Sequence, residues 1–118
     1  MPQVFWLPIY EGRAPAAAAT VFTMNAAVHG RVAIRTVDMS NPTYGDATVF
    51  VWKVPKGGTF PADAVPIVPG WVVGKQDKRG VHTVQWTGFR VLATTGDKIY
   101  AQSTGGVVDI SISGGYAK

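Results

Sequence analysis

The sequence predicts a single all-β domain, an antiparallel β-sandwich of the jelly-roll type. Fourteen glycines and eight prolines separate short runs rich in valine, isoleucine, threonine and aromatic residues, which is typical of many short strands joined by turns. No window repeats apolar residues at helical spacing for long enough to predict a helix. The 118 residues fit one domain, since single domains commonly contain about 100–150 residues.

The clearest predicted strands are residues 31–40 and Ala47–Val54. The connection between them, residues 41–46, is too short for a parallel crossover, so we predict that they pair with each other in antiparallel fashion. In the last strand, residues 108–113, apolar and polar side chains alternate, which indicates a half-buried strand. The remaining predicted strands are residues 21–24, 65–75, 81–86, 89–93 and 98–103. Two prolines, Pro66 and Pro69, place the strand at 65–75 on a sheet edge or split it, since proline donates no hydrogen bond to a ladder.

The strand Ala47–Val54 has apolar side chains on both faces. Phe50 and Trp52 share one face, and Val49 and Val51 share the other. A two-layer sandwich covers only one face, so Val49 and Val51 are predicted to meet another chain. We therefore expect a homo-oligomer of closed symmetry, because a closed assembly covers such a patch without growing into fibres.

The first residues differ from the rest, and we predict an extended N-terminal arm at 1–19 ahead of a β-sandwich domain at 20–118. The arm begins with an apolar aromatic run and then contains Pro8, Pro15 and four consecutive alanines. It could pack on its own domain or on a neighbour. Trp52 and Trp86 lie in predicted strands and are expected in the core. The predicted partner-binding residues are Phe5, Trp6, Leu7, Val49, Val51 and Trp71.

No pattern of catalytic residues is found in the sequence. His29 is expected on the surface in a turn and His82 on a strand face, neither beside an acid in the sequence. Glu11 is the only glutamate, and the aspartates are scattered, mostly at turns, where they cap their own backbone. No calcium, zinc-protease, nucleophile-elbow or phosphate-loop motif occurs. We predict that the protein is not an enzyme and has no catalytic residues, no metal site and no cofactor.

The charge pattern does not favour nucleic acid as a partner. The net charge is +4 and the isoelectric point about 9.6, yet the basic residues form only one cluster, at 75–79, which Asp77 dilutes. Nucleic-acid binding usually shows as a concentrated basic stripe, so a solvated turn is the preferred interpretation. We expect no membrane association, because no run of about 20 apolar residues occurs, and no signal peptide. The lack of cysteine fits folding in a reducing cytoplasm.

Two stretches resemble a family of small β-sandwich proteins from the virions of tailed bacteriophages. The first is residues 21–52: a short strand, a turn, a long strand ending near Asn41, a small polar turn and an apolar strand. The second is residues 92–114, where Thr95-Gly96-Asp97-Lys98-Ile99 followed by residues 107–114 resembles the closing hairpin of that family. Met24-Asn25-Ala26 and the proline-rich residues 61–70 depart from the family pattern.

The resemblance implies a decoration (cement) protein, a head-fibre base protein or a tail accessory protein without an enzymatic site. Decoration proteins of this kind are often trimers seated where capsomers meet. The expected function is therefore a capsid decoration protein in the virion, assembled in the host cytoplasm, that binds the major capsid protein or another virion protein as a homotrimer. The alternative is a tail or head-fibre accessory module that binds a receptor carbohydrate through Trp71 and nearby aromatics.

Overall fold

The structure, a computed structural model, describes residues 4–92 and 94–117, and for residues 4–7, 28, 29, 116 and 117 the backbone alone. This part of the chain forms eight strands and one single-turn helix. The helix, α1, spans Ala26–His29, between the second and third strands. The strands are β1 (Val4–Arg13), β2 (Ala19–Thr23), β3 (Arg31–Asn41), β4 (Ala47–Val54), β5 (Val65–Val73), β6 (His82–Leu92), β7 (Lys98–Thr104) and β8 (Asp109–Ala117).

The strands form two four-stranded antiparallel sheets with the order of a jelly roll. Sheet 1 has the order β1-β8-β3-β6 and sheet 2 the order β2-β7-β4-β5. Four of the strand pairs are β1 with β8, β2 with β7, β3 with β6 and β4 with β5. This is the path of a long antiparallel hairpin rolled around itself, and it confirms the predicted fold class.

The core lies between the two sheets. Side chains in β3, β4 and β7 alternate between buried and half-buried or exposed positions, because successive residues of a strand point to opposite faces. The predicted alternation in the last strand is confirmed, since Val108, Ile110 and Ile112 are buried. Each fully buried aliphatic side chain of this kind stabilises the fold by roughly 1.5–3 kcal/mol.

The prediction that residues 31–40 pair with Ala47–Val54 is wrong, although both strands form. β3 pairs with β6 and β8, whereas β4 pairs with β5 and β7. The chain leaves one sheet at Asn41 and enters the other at Ala47. A short connection excludes a parallel crossover, but it allows a corner between two sheets as readily as a hairpin.

Asn41 holds this corner. Its side chain is fully buried, and its amide nitrogen donates to the carbonyl oxygens of Gly45 (2.8 Å) and Val73 (2.9 Å). Its amide oxygen accepts from the backbone nitrogen (2.9 Å) and the hydroxyl (2.6 Å) of Thr43. Because Asn41 ends β3 and Val73 ends β5, one side chain joins the two sheets.

The N-terminal segment also differs from the prediction of an arm. Val4–Arg13 is β1, an edge strand of sheet 1 that pairs with β8 from Val4 to Arg13, so these residues belong to the sandwich. The side chains of Ile9 and Ala14 lie in the core. An extended segment satisfies its backbone hydrogen-bonding groups most completely in a ladder, and β8 provides one.

The interface predicted at Val49 and Val51 is wrong. Both side chains are fully buried in the core between the sheets, so the outward face of β4 is the one that carries Phe50 and Trp52. Trp86 is buried as predicted, at 7% exposure, but Trp52 is half-buried on the outer face.

The two strands predicted at 81–86 and 89–93 are one continuous strand, β6. Residues 87–88 do not form a turn. Instead, the pairing of β6 with β3 shifts register there: Ile34 pairs with Arg90, and Thr36 pairs with Thr87. Gly88 leaves room for the indole of Trp86, since a Cβ at that position would lie 2.6 Å from it. The predicted edge position of β5 is confirmed.

We expect Asn41→Ala to lower the free energy of unfolding by roughly 2–3 kcal/mol, because it removes four hydrogen bonds from the corner, among them the buried one to the carbonyl of Val73. Urea denaturation measures the change. Thr83→Ala, which removes one exposed hydroxyl contact with Ser40, is the control and is expected to change stability by less than about 0.5 kcal/mol. Equal effects of the two substitutions would show that Asn41 does not hold the corner.

We also expect Gly114→Ala to destabilise the fold by roughly 3 kcal/mol or more. A Cβ on Gly114 would overlap the backbone carbonyl group of Ala33 in the neighbouring strand β3, so β3 and β8 would have to separate. The control is Gly74→Ala, where a Cβ meets nothing within 4 Å. Thermal unfolding of both variants checks this, and a Gly114→Ala protein as stable as the control would contradict the close approach of β3 and β8.

Candidate docking surface

The outer face of sheet 2 carries a series of four touching aromatic rings, which we call the aromatic ridge: Phe50, Trp52, Phe60 and Tyr100. Phe50 and Trp52 stack with ring centroids 5.4 Å apart. Trp52 and Phe60 meet edge to face at 4.9 Å, and Phe60 stacks on Tyr100 at 4.8 Å. All four side chains are half-buried, so the ridge is a surface feature and not a second core.

Strand geometry places three of these rings together. Phe50 and Trp52 are two residues apart in β4 and therefore share a face. Tyr100 of β7 lies directly opposite Trp52 in the ladder, and directly opposite residues also share a face. The ridge thus follows from the alternation of β4 and from the pairing of β4 with β7.

Phe60 comes from the connection between β4 and β5. Asp63 shapes this loop: its carboxylate accepts from the backbone nitrogen of Thr59 at 2.8 Å, and its own backbone nitrogen donates to the carbonyl of Thr59 at 2.8 Å. Phe60 is thereby held where its ring contacts both Trp52 and Tyr100.

Gly70 makes room for Phe50. The backbone of Gly70 has φ +94°, a conformation that L side chains rarely adopt, and a Cβ there would lie 2.8 Å from the Phe50 ring. Gly70 is also the extra residue where the pairing of β5 with β4 shifts register. The proline-rich edge strand is therefore shaped around the ridge.

The ridge is suited to protein contact. Half-buried tryptophan and tyrosine side chains already held by neighbours lose little conformational entropy on binding, and these residue types dominate the binding energy of protein interfaces. Val72, 62% exposed, lies opposite the outward-facing Thr48 and extends the apolar surface. One face of every ring is already taken by another ring, so the four form a ridge and not an open platform for a sugar.

The two sheets differ in charge. None of the four strands of sheet 2 contains aspartate or glutamate. Lys98 shares the outward face of β7 with Tyr100, as their alternation with buried residues shows. On sheet 1, Glu11, Asp38 and Asp109 line a shallow groove. The strands of sheet 2 are therefore free of carboxylates. The strands of sheet 1 carry these three acids together with four arginines, Arg13, Arg31, Arg35 and Arg90.

The structure does not bring the predicted partner-binding residues together. Phe5, Trp6 and Leu7 are in strand β1, and the structure describes only their backbone. Val49 and Val51 are in the core, and Trp71 is half-buried against that core. The sequence analysis did not predict the ridge. The alternation Val49-Phe50-Val51-Trp52 did indicate that two aromatic rings share one face of β4.

His82 has an acidic partner that the sequence analysis did not predict. Its Nε2 lies 2.9 Å from Oδ2 of Asp77, and both side chains are close to half exposed. Asp77 also accepts from the backbone nitrogen of Arg79 at 2.7 Å. The hydrogen bond from His82 and the one from Arg79 hold the pKa of Asp77 below its usual value of 3.8. An exposed pair of this kind contributes little to stability. It joins the start of β6 to the loop before it.

Two further classes of site are not found in the part of the chain that the structure describes. No group of three or more histidine, cysteine, aspartate or glutamate side chains is placed to hold a metal ion. No helix among those residues is long and apolar enough to cross a bilayer.

We expect the Asp77 carboxyl group to titrate below pH 3.8 in the folded protein and closer to that value in His82→Ala. A lowered pKa means that the contact stabilises the fold above pH 3.8 and is lost as the pH falls through the folded-state pKa. Carbon-13 NMR of the Asp77 side chain measures both values. Asp63, which does not contact His82, is the internal control, and an unchanged Asp77 titration in the variant would contradict the pairing.

No protein-family model and no curated protein matches this chain. Among solved structures, one similar chain comes from infectious bursal disease virus, in a structure described as "Structure of infectious bursal disease virus Gt strain". The TM-score is 0.41 and the sequence identity 13%, and the match covers 98% of this chain and 32% of that one. The chain thus spans about a third of the length of the viral chain, and we base its function on its own residues.

Proposed function

We propose that this chain is a non-enzymatic virion structural protein that acts by binding other virion proteins. Within that class we propose a capsid decoration protein that binds the assembled head shell of a tailed bacteriophage and stabilises it. The aromatic ridge on the outer face of sheet 2 is the observation that carries this proposal, because it is a preformed apolar surface outside a complete core.

The size of the molecule supports such a role. The chain measures 49 × 32 × 19 Å, so its broad face is larger than the roughly 800 Å² per partner that a stable interface buries. A protein that binds only the assembled shell, and not its separated subunits, raises the stability of the shell by mass action. No chemical step is required of the decoration protein in this mechanism.

A homotrimer remains part of the proposal, with the resemblance to phage decoration proteins as its support. The argument from Val49 and Val51 no longer applies, because those side chains are in the core. Phe5, Trp6 and Leu7, at the start of edge strand β1, are proposed as contacts between copies.

The second candidate is a tail or head-fibre accessory module that binds a carbohydrate. The partly exposed rings of Trp52 and Tyr100 favour it, because sugars stack on aromatic side chains. The sharing of ring faces within the ridge disfavours it. Trp71, which the sequence suggested for this role, is partly buried against the core.

Particles of the phage that encodes the chain provide the test. We expect quantitative mass spectrometry of gradient-purified particles to find it at tens to hundreds of copies, and deletion of its gene to lower the temperature at which the heads release DNA. Adding the purified protein back should restore that temperature. Light scattering of the purified protein is expected to give three times the chain mass of 12.6 kDa.

The outcomes separate the candidates. Heads of unchanged stability together with reduced adsorption to host cells would indicate the tail or fibre module. If purified particles lack the chain, the virion proposal fails. Robust hydrolysis of a glycan, peptide or nucleic acid by the purified protein would overturn the non-enzymatic assignment.

A further inference from the structure

Two lysines lie at one end of the aromatic ridge, and one exposed carboxylate, that of Asp63, lies in the same loop as one of them. Lys98 lies two residues before Tyr100 on the same face of β7, and Lys56, which is exposed, lies in the β4–β5 loop that also carries Phe60. Sheet 2 itself has no acidic residue in any strand. A partner that covers the ridge therefore meets lysines at its border.

Two carboxylates, those of Asp63 and Asp97, lie in the loops beside Lys56 and Lys98 and accept hydrogen bonds from backbone nitrogens. Asp97 is 5% exposed and accepts from the backbone nitrogens of Lys56 at 2.9 Å and Thr94 at 3.2 Å. Asp63 accepts from the backbone nitrogen of Thr59. Both acids are thereby engaged in the two loops at this end of the sandwich, and no salt bridge of Lys56 or Lys98 is found among the described residues.

We infer that the aromatic ridge docks an acidic protein surface, with apolar side chains of the partner on the four rings and partner carboxylates at Lys98 and Lys56. This inference rests on the proposed function and names the chemistry of the shell surface that is bound. Opposite charge across an interface raises the association rate and fixes orientation, while the buried aromatic rings supply most of the affinity.

Charge also argues against a second copy of the chain on the ridge. Two ridges face to face with their lysine ends together would bring like charges close, which opposes binding. With the lysine ends apart, the lysines would still meet no carboxylate, because the strands of sheet 2 carry none. The acidic groove of sheet 1, with Glu11, Asp38 and Asp109, has the right charge. However, it lies on the opposite sheet, so such a contact would be head to tail and would grow into a filament unless the rotation between copies closed a ring.

Single-stranded nucleic acid is the other polymer that combines stacking with positive charge. Its backbone requires a track of cations, because affinity for phosphates grows with the number of charges neutralised. Among the described residues, sheet 2 and its β4–β5 loop place two lysines, Lys98 and Lys56, at this end of the ridge, while Lys53 bonds to the carbonyl of Val91 in sheet 1. The basic cluster at residues 75–79 is at the other end of β4: the backbone nitrogen of Lys75 donates to Asp46, whereas Lys98 pairs with Val54. The observations therefore favour protein over nucleic acid.

The test uses particles of a phage that lacks the gene for this chain. Binding of the purified full-length protein to these particles is measured by sedimentation at 50, 150 and 500 mM NaCl. We expect Lys98→Glu to weaken binding at least tenfold at 50 mM NaCl and to flatten the salt dependence. The matched control is Lys75→Glu, which makes the same charge change about 25 Å away along β4 and should bind within twofold of the unchanged protein. Circular dichroism confirms that both variants fold.

Trp52→Ala is the second variant and probes the apolar part of the contact. It should weaken binding at least tenfold at all three salt concentrations, since its effect does not depend on charge. If Lys98→Glu and Trp52→Ala bind particles like the control, the ridge is not the docking surface, and the proposed function stands with another surface. If the unchanged protein does not bind the particles, both the proposed function and this inference fail.

Two further measurements identify a different occupant. Micromolar binding of a 30-nucleotide oligothymidine that Lys98→Glu abolishes would make the ridge a nucleic-acid site. A loss of oligomer mass in light scattering of Lys98→Glu or Trp52→Ala, but not of Lys75→Glu, would make it a contact between copies. Either result would overturn the inference of an acidic protein partner.

Discussion

The corner at Asn41 is the constraint on which the architecture of this protein depends. One buried amide satisfies the carbonyls of Gly45 and Val73 and accepts from Thr43, and it does so where the chain passes from sheet 1 to sheet 2. Without that passage β4 would not lie in sheet 2, and the jelly-roll path would not form. The corner therefore determines which strands become neighbours of β4.

The position of β4 in sheet 2 determines in turn which surface the protein presents. Val49 and Val51 face sheet 1 and fill the core, so Phe50 and Trp52 face outward. Pairing with β7 places Tyr100 beside Trp52, and the β4–β5 loop adds Phe60. The interface proposed for this protein is thus a consequence of the fold's topology and not of a recognisable motif.

The unequal outer faces of the two sheets suggest a division of roles. Sheet 1 carries hydrogen-bonded polar pairs, Asp38 with Gln85 and Ser40 with Thr83, and the exposed Phe89 beneath the guanidinium of Arg35. Sheet 2 presents aromatic rings with lysines at their border. Four touching rings above strands without carboxylates distinguish the outer face of sheet 2, and this is the face that we propose meets the partner.

The sequence by itself determined the all-β class, most strand positions, the edge location of β5 and the alternation of β8, because these follow from local turn chemistry and side-chain periodicity. Only the tertiary structure decided which strands pair. Pairing depends on contacts between distant residues, as Asn41 with Val73 and Tyr100 with Trp52 show. For the same reason the sequence identified two apolar faces on β4 but not which of them is buried: alternation defines the faces of a strand, and the packing of the second sheet decides which face water reaches.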